Sequence, residues 1–102
     1  MDKKQEICRL ALEMLFDSQR VFVKKGISNY VYRNPETGDE DACKIVGNRI
    51  VWRVEKSSFT KGHGRWRDDP KDEVILFRIK GSHVDISISE RRKKETKSFK
   101  LK

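Results

Sequence analysis

A chain of 102 residues in which 39% of side chains are charged and 35% apolar has room for one small domain with a compact core. No apolar run approaches the roughly 20 residues a membrane helix needs, and Arg9 and Glu13 interrupt the only stretch that resembles a secretory signal. The formal net charge of +8 is unevenly placed: residues 91–102 hold seven Lys or Arg against one acid, while residues 1–90 hold 17 against 15. The basic balance therefore belongs to a C-terminal segment attached to a mixed-charge body, and the chain divides into a domain over 1–90 and a basic segment over 91–102.

Residues 2–17 read as an amphipathic helix. Ile7, Leu10, Ala11, Met14 and Leu15 fall at the spacing that lines one helical face, and Asp2 is suited to cap the start. Cys8 lies in this helix and Cys43 far downstream. The pair matches no metal-ligand spacing, so the expectation is two reduced, partly buried thiols and no metal site. From Gln19 onward the period changes to two. Residues 20–25 give a weak strand signal, and Ser28–Arg33 a clearer one that ends at the turn-rich run Asn34–Asp39. Ala42–Val46 and Arg49–Lys56 flank Gly47-Asn48, which fits a two-residue hairpin loop with glycine first. In the second of these strands Ile50, Trp52 and Val54 share one face, with Arg49, Val51, Arg53 and Glu55 on the other.

Sixteen residues, Ser57–Asp72, separate that strand from the next, which is long for a strand connection. They contain Lys61-Gly62-His63-Gly64-Arg65-Trp66-Arg67, a mobile glycine-flanked histidine followed by an indole between two guanidinium groups. An aromatic ring can stack on a base while arginines pair with phosphate, and both residue types are enriched at protein-interface hot spots. The acidic run Asp68, Asp69, Asp72, Glu73 follows directly, which supplies partners that could neutralise the arginines within the loop. No phosphate-cradling glycine motif is present.

Glu73–Lys80 and His83–Ser89 form a second hairpin through Gly81-Ser82. Ile75, Phe77 and Ile79 face Val84, Ile86 and Ile88 on one side, and the outward positions are polar. Arg53, Arg78 and Arg33 alternate outward, with Tyr30 or Tyr32 expected close by, a pattern that would suit single-stranded nucleic acid although no RRM-type run is present. In the last segment, Arg91, Arg92, Lys93 and Lys94 lead into an alternation of Phe99 and Leu101 with Ser98, Lys100 and Lys102, which marks an edge strand around 97–101 protected by lysines.

These elements predict an α+β fold, one N-terminal helix packed on a curled antiparallel meander of five or six strands. For function they point to a small non-catalytic nucleic-acid-binding protein that uses the basic C-terminal segment and the Arg-Trp-Arg loop. The alternative is a protein-binding module or inhibitor that docks the same loop, or a sheet edge, on an acidic partner protein. A ligand-binding half-barrel is a third reading and requires a cavity. The candidate contact residues are Lys61, His63, Arg65, Trp66, Arg67, Arg53, Arg78, Arg91, Arg92, Lys93 and Lys94. His63 and His83 are the only histidines and make a weak acid–base pair. Neither an enzyme activity nor a cofactor is expected, and the expected setting is cytoplasmic.

Overall fold

The structure is a computed structural model that describes residues 3–57, 62–69, 71–90 and 92–101. One helix, α1 (Lys3–Phe16), precedes seven strands: β1 (Val21–Lys25), β2 (Tyr30–Arg33), β3 (Glu40–Val46), β4 (Arg49–Lys56), β5 (Val74–Lys80), β6 (His83–Glu90) and β7 (Lys93–Lys100). The strands form one antiparallel sheet in strict chain order. The fold is α+β as the periodicity predicts, but with seven strands rather than five or six. The additional pairing lies at the two edges, where β1 and β7 had the least regular sequence signals. β7 also begins earlier than the 97–101 alternation indicates, because Lys93–Lys100 pairs along its whole length with β6.

The helix packs on one face of the sheet, against β2, β3 and β6. Its most buried residues are Ile7, Cys8, Ala11 and Leu12, with Leu10, Met14 and Leu15 half-buried around them. The buried stripe is thus rotated from the one the spacing suggested, toward Cys8. The rotation has a covalent cause, for Cys8 and Cys43 form a disulfide across a Cα separation of 6.0 Å. The expectation of two reduced thiols is therefore corrected. Linear spacing gave no hint that the inward face of β3 would bring Cys43 beneath the first turns of the helix. The Tyr32 hydroxyl, fully buried, donates to the Gln5 carbonyl and ties β2 to the same helix. Asp17 takes a left-handed backbone (φ 50°) and ends the helix; the Asp2 cap lies outside the described residues.

Gly47 and Gly81 have φ of 62° and 60°, and Asn48 and Ser82 after them are not in the left-handed region. Glycine at the first position of each two-residue loop gives a turn whose twist matches the strands it joins. β4 and β5 pair only at Arg49↔Leu76 and Ile50↔Ile75. Beyond that point the long connection takes over the β4 edge, since the Gly64 amide donates to Val54 O at 2.7 Å and the Arg67 amide to Trp52 O at 2.7 Å. This docking satisfies backbone carbonyls that would otherwise lie unpaired.

Candidate nucleic-acid interface

The register fixes two faces. Tyr30, Tyr32, Cys43, Ile50, Trp52, Ile75, Ile86 and Ile88 face the helix and form the core. The tyrosines are therefore on the opposite face from Arg33, Arg53 and Arg78, not beside them. The outward positions carry Arg33 on β2, Lys44 on β3, Arg49 and Arg53 on β4, Arg78 and Lys80 on β5, and Lys94 and Lys100 on β7.

Over β3 and β4 this face is covered by the long loop. Two cations lie over the Trp66 ring, Lys44 Nζ at 4.2 Å and Arg53 Cζ at 4.5 Å from its centroid. Arg49 donates to the carbonyls of Asp68 (3.0 Å) and Asp69 (3.5 Å). Val31, Ala42 and Val51 share the outward face and are nonetheless buried. Trp66 itself is half-buried. Arg65 makes two 2.8 Å hydrogen bonds to the Asp72 carboxylate, and Arg67 lies 3.6 Å from the same group and over the Trp52 ring. Those bonds from Arg65 hold the Asp72 carboxyl well below the usual carboxylate range, so the pairing persists across the neutral range. Both guanidinium groups are thus engaged within the loop, although the Arg65 side chain remains 59% exposed. Glu73 accepts the Trp52 indole N–H at 2.7 Å. The acidic run accordingly serves the arginines and an indole of the protein itself.

Among the described residues no loop or helix covers the outward face of β5–β7. Its outward rows are Val74–Ser89–Lys94, Leu76–Ser87–Thr96, Arg78–Asp85–Ser98 and Lys80–His83–Lys100. Asp85 is the one acid among these twelve positions. Its carboxyl is held below the usual range by the Ser98 hydroxyl and by Lys80, whose Nζ lies at 3.3 Å. Arg78, Lys94 and Lys100 make no salt bridge among the described residues. Four cations and four hydroxyls therefore stand on one wet surface. Lys94 and Lys100 are six positions apart, about 20 Å along an extended strand.

The predicted site residues divide between these regions. Arg65, Trp66 and Arg67 lie in the loop with Arg53 beneath them, and Arg78 and Lys94 stand on the outward face of β5–β7. Arg92 is exposed in the β6–β7 turn, while Lys93 pairs with Glu90 on the opposite side of β7, beside Glu95 and Lys97. Lys61 and Arg91 lie outside the described residues. His63 is exposed next to the Gly64–Val54 contact, whereas His83 opens β6 opposite Lys80 and Lys100. Lys80, Lys100 and Lys44 were missed as candidates, although period-two parity places Lys80 with Arg78 and Lys100 with Lys94. Among the described residues no cluster of His, Cys, Asp and Glu is placed to hold a metal ion, and no helix is long and apolar enough to cross a membrane. Comparison with protein-family models, with curated proteins and with solved structures gives no match.

Proposed function

We propose that this is a non-catalytic nucleic-acid-binding protein that holds the phosphate backbone on the outward face of β5–β7. The observation that carries this reading is the row structure of that face: Arg78, Lys80, Lys94 and Lys100 among Ser87, Ser89, Thr96 and Ser98, with a single, already paired acid. Cations supply the electrostatic attraction, and the Ser87, Ser89 and Thr96 hydroxyls can donate to phosphate oxygens, that of Ser98 being given to Asp85. Among the described residues this face carries no Phe, Tyr or Trp, and its one ring, the His83 imidazole, lies at the far end beside Lys80 and Lys100, which favours backbone contact over base stacking. Trp66, with Lys44 and Arg53, continues the same outward face on the neighbouring strands.

The test is a salt titration of binding to duplex and single-stranded oligonucleotides of unrelated sequence. Four phosphate contacts give a slope of log K against log salt of about −3.6 for duplex DNA. The triple variant Arg78→Glu/Lys94→Glu/Lys100→Glu is expected to lose affinity at least tenfold. Lys93→Glu/Lys97→Glu, on the other side of β7 and with the same chemistry, is expected to lose far less. Equal losses in the two variants, or binding insensitive to salt, would refute the assignment of this face.

A second reading, docking on an acidic partner protein, is favoured by the exposed apolar side chains Val21 and Phe22 on edge strand β1 and Ile27 in the turn after it. An interface with apolar anchors responds weakly to salt and is disrupted by Phe22→Ser rather than by the triple charge reversal.

A further inference from the structure

A cavity of about 330 Å³ opens between the end of α1, the β2–β3 turn and the far half of β4. Phe16, Arg20, Asn34, Asp41, Trp52 and Val54 contribute to its walls. Asp41 shares the inward parity of Tyr32 and Cys43, so the cavity belongs to the face opposite Arg78, Lys94 and Lys100. Its volume lies within the range of small-ligand sites.

The polar centre of the wall is a buried ion pair, Arg20 (6% exposed) and Asp41 (7% exposed). Arg20 gives Nη1 to Ser18 Oγ at 2.7 Å and to the Gln19 carbonyl at 3.2 Å, and its guanidinium lies 4.8 Å over the Phe16 ring. Nη2 faces Asp41 at 3.5 Å, an ion-pair distance too long for a good hydrogen bond. Nε, on the same side-on edge of the guanidinium as Nη2, is buried and has no hydrogen-bond partner among the described residues. The Asp41 carboxylate likewise accepts no hydrogen bond among them. An orphaned donor and an under-used acceptor thus lie side by side, where buried polar groups are ordinarily paired. Asp39, in the same wall, is engaged in a further interaction, so the charge at this centre is one of each sign.

We propose that this cavity binds a small neutral aromatic amide, whose carbonyl accepts from Arg20 Nε while its N–H donates to Asp41. A primary carboxamide carries an acceptor and a donor next to each other, the complement of that edge. A cationic ligand would leave Nε unpaired and stand against the guanidinium. An anionic ligand could take Nε but would stand against the Asp41 carboxylate and offer it no donor. Phe16 and Trp52 meet edge to face at 4.9 Å, and with Val54 they make an apolar corner for the ring of the ligand. Because the cavity lies on the face opposite Arg78, Lys94 and Lys100, this site stands or falls separately from nucleic-acid binding.

The probes are benzamide, acetophenone, benzoate and benzylamine. They share a phenyl ring and present, in turn, an acceptor with a donor, an acceptor alone, an anion and a cation. Titration with benzamide at pH 7, followed by heteronuclear NMR, is expected to give saturable shifts at the Arg20 Nε–H and the Trp52 indole N–H. The second is a fixed reporter, because Glu73 holds it at 2.7 Å. Acetophenone, which lacks the bond to Asp41, should bind about tenfold more weakly, and benzoate and benzylamine more weakly still. Asp41→Asn removes the negative charge and supplies an amide donor, so the order should invert, with benzoate bound more tightly than benzamide and oligonucleotide affinity unchanged. The Arg20 Nε–H shift in the unaltered protein keeps the test decisive if the variant does not fold. Absence of saturable shifts, equal response to the four probes, an unmoved Nε–H at saturation, or a folded Asp41→Asn protein that still prefers benzamide would each overturn the proposal.

Discussion

The Asp41–Arg20 pair makes the stability of this fold depend on pH in an unusual direction. Most native carboxylates are stabilised in their charged form, so folds weaken as acid protonates them. Asp41 behaves in the opposite way. Its carboxyl rises from 3.8 to about 6 in the folded protein because desolvation outweighs the attraction of Arg20, with Asp39 adding to the rise. A folded pKa above the unfolded value means that the native state binds the proton more tightly. The Asp41 contribution to stability therefore falls as pH rises from about 4 through 6 and is level above that. A shift of about two pH units corresponds to roughly 3 kcal/mol in full, of which about 2 kcal/mol is expressed between pH 4 and 7. For a domain of this size that is on the order of 10 °C in melting temperature. Asp41→Asn keeps the shape and removes the titration. Its absolute stability will be offset by the loss of a partner for Arg20, but the offset does not vary with the Asp41 proton. Urea unfolding of both proteins at pH 4, 5, 6 and 7 under constant ionic strength gives the comparison. The contributions of Asp72 and Asp85, whose carboxyls are lowered, are common to both proteins and cancel in the difference. The wild type should lose about 2 kcal/mol relative to the variant across that range. Parallel profiles would show that the burial of Asp41 is relieved in solution and would refute the reasoning.

Two further outcomes follow from the disulfide and from the loop. The Cys8–Cys43 bond closes a span of 35 residues, for which the chain-entropy relation gives about 4 kcal/mol; Cys8→Ala/Cys43→Ala should lose close to that in chemical denaturation, and no loss would place the tie outside the native state. In a Trp52→Phe background Trp66 is the only indole, and Asp72→Asn should red-shift its emission and raise its quenching by iodide at pH 7, because Arg65 and Arg67 lose their shared partner. Since the Asp72 carboxyl is depressed, the ion pair is fully formed above the ordinary carboxylate pKa and is lost only well below it, so the parent signal should not change between pH 7 and 5.

Period-two alternation made the inner strands legible: the 49–56 and 83–89 readings sit within a residue of β4 and β6, and the inward triad Val84, Ile86, Ile88 is buried as read. The edges were harder, for physical reasons. β1 contains a bulge between Phe22 and Lys24, which breaks the alternation, and it offers its outward face to solvent. β7 exposes every side chain but the half-buried Phe99, and the buried Leu101 follows it, so most of the strand carries no hydrophobic signal. For the candidate site, parity placed Arg53 and Arg78 outward correctly but put Tyr30 and Tyr32 in doubt, because a short strand gives too few positions to fix its phase. The loop was the least legible part. Its role depends on three-dimensional contacts, Gly64 and Arg67 on the β4 edge and Trp66 on Lys44 and Arg53, that no local pattern encodes.

The strict chain order of the sheet bears on how the molecule is built. Each strand pairs with the one made just before it, so assembly requires only short loop closures, apart from the long connection between β4 and β5. The helix is synthesised first but has nothing to cover until β2 and β3 emerge, and its contact with β6 must wait longer still. Both cysteines of the disulfide lie upstream of β5–β7, so the tie joins only segments made before the basic strands. The N-terminal half can thus be locked while β5–β7 is still being added one strand at a time. The last strand to arrive is the one that carries the lysines.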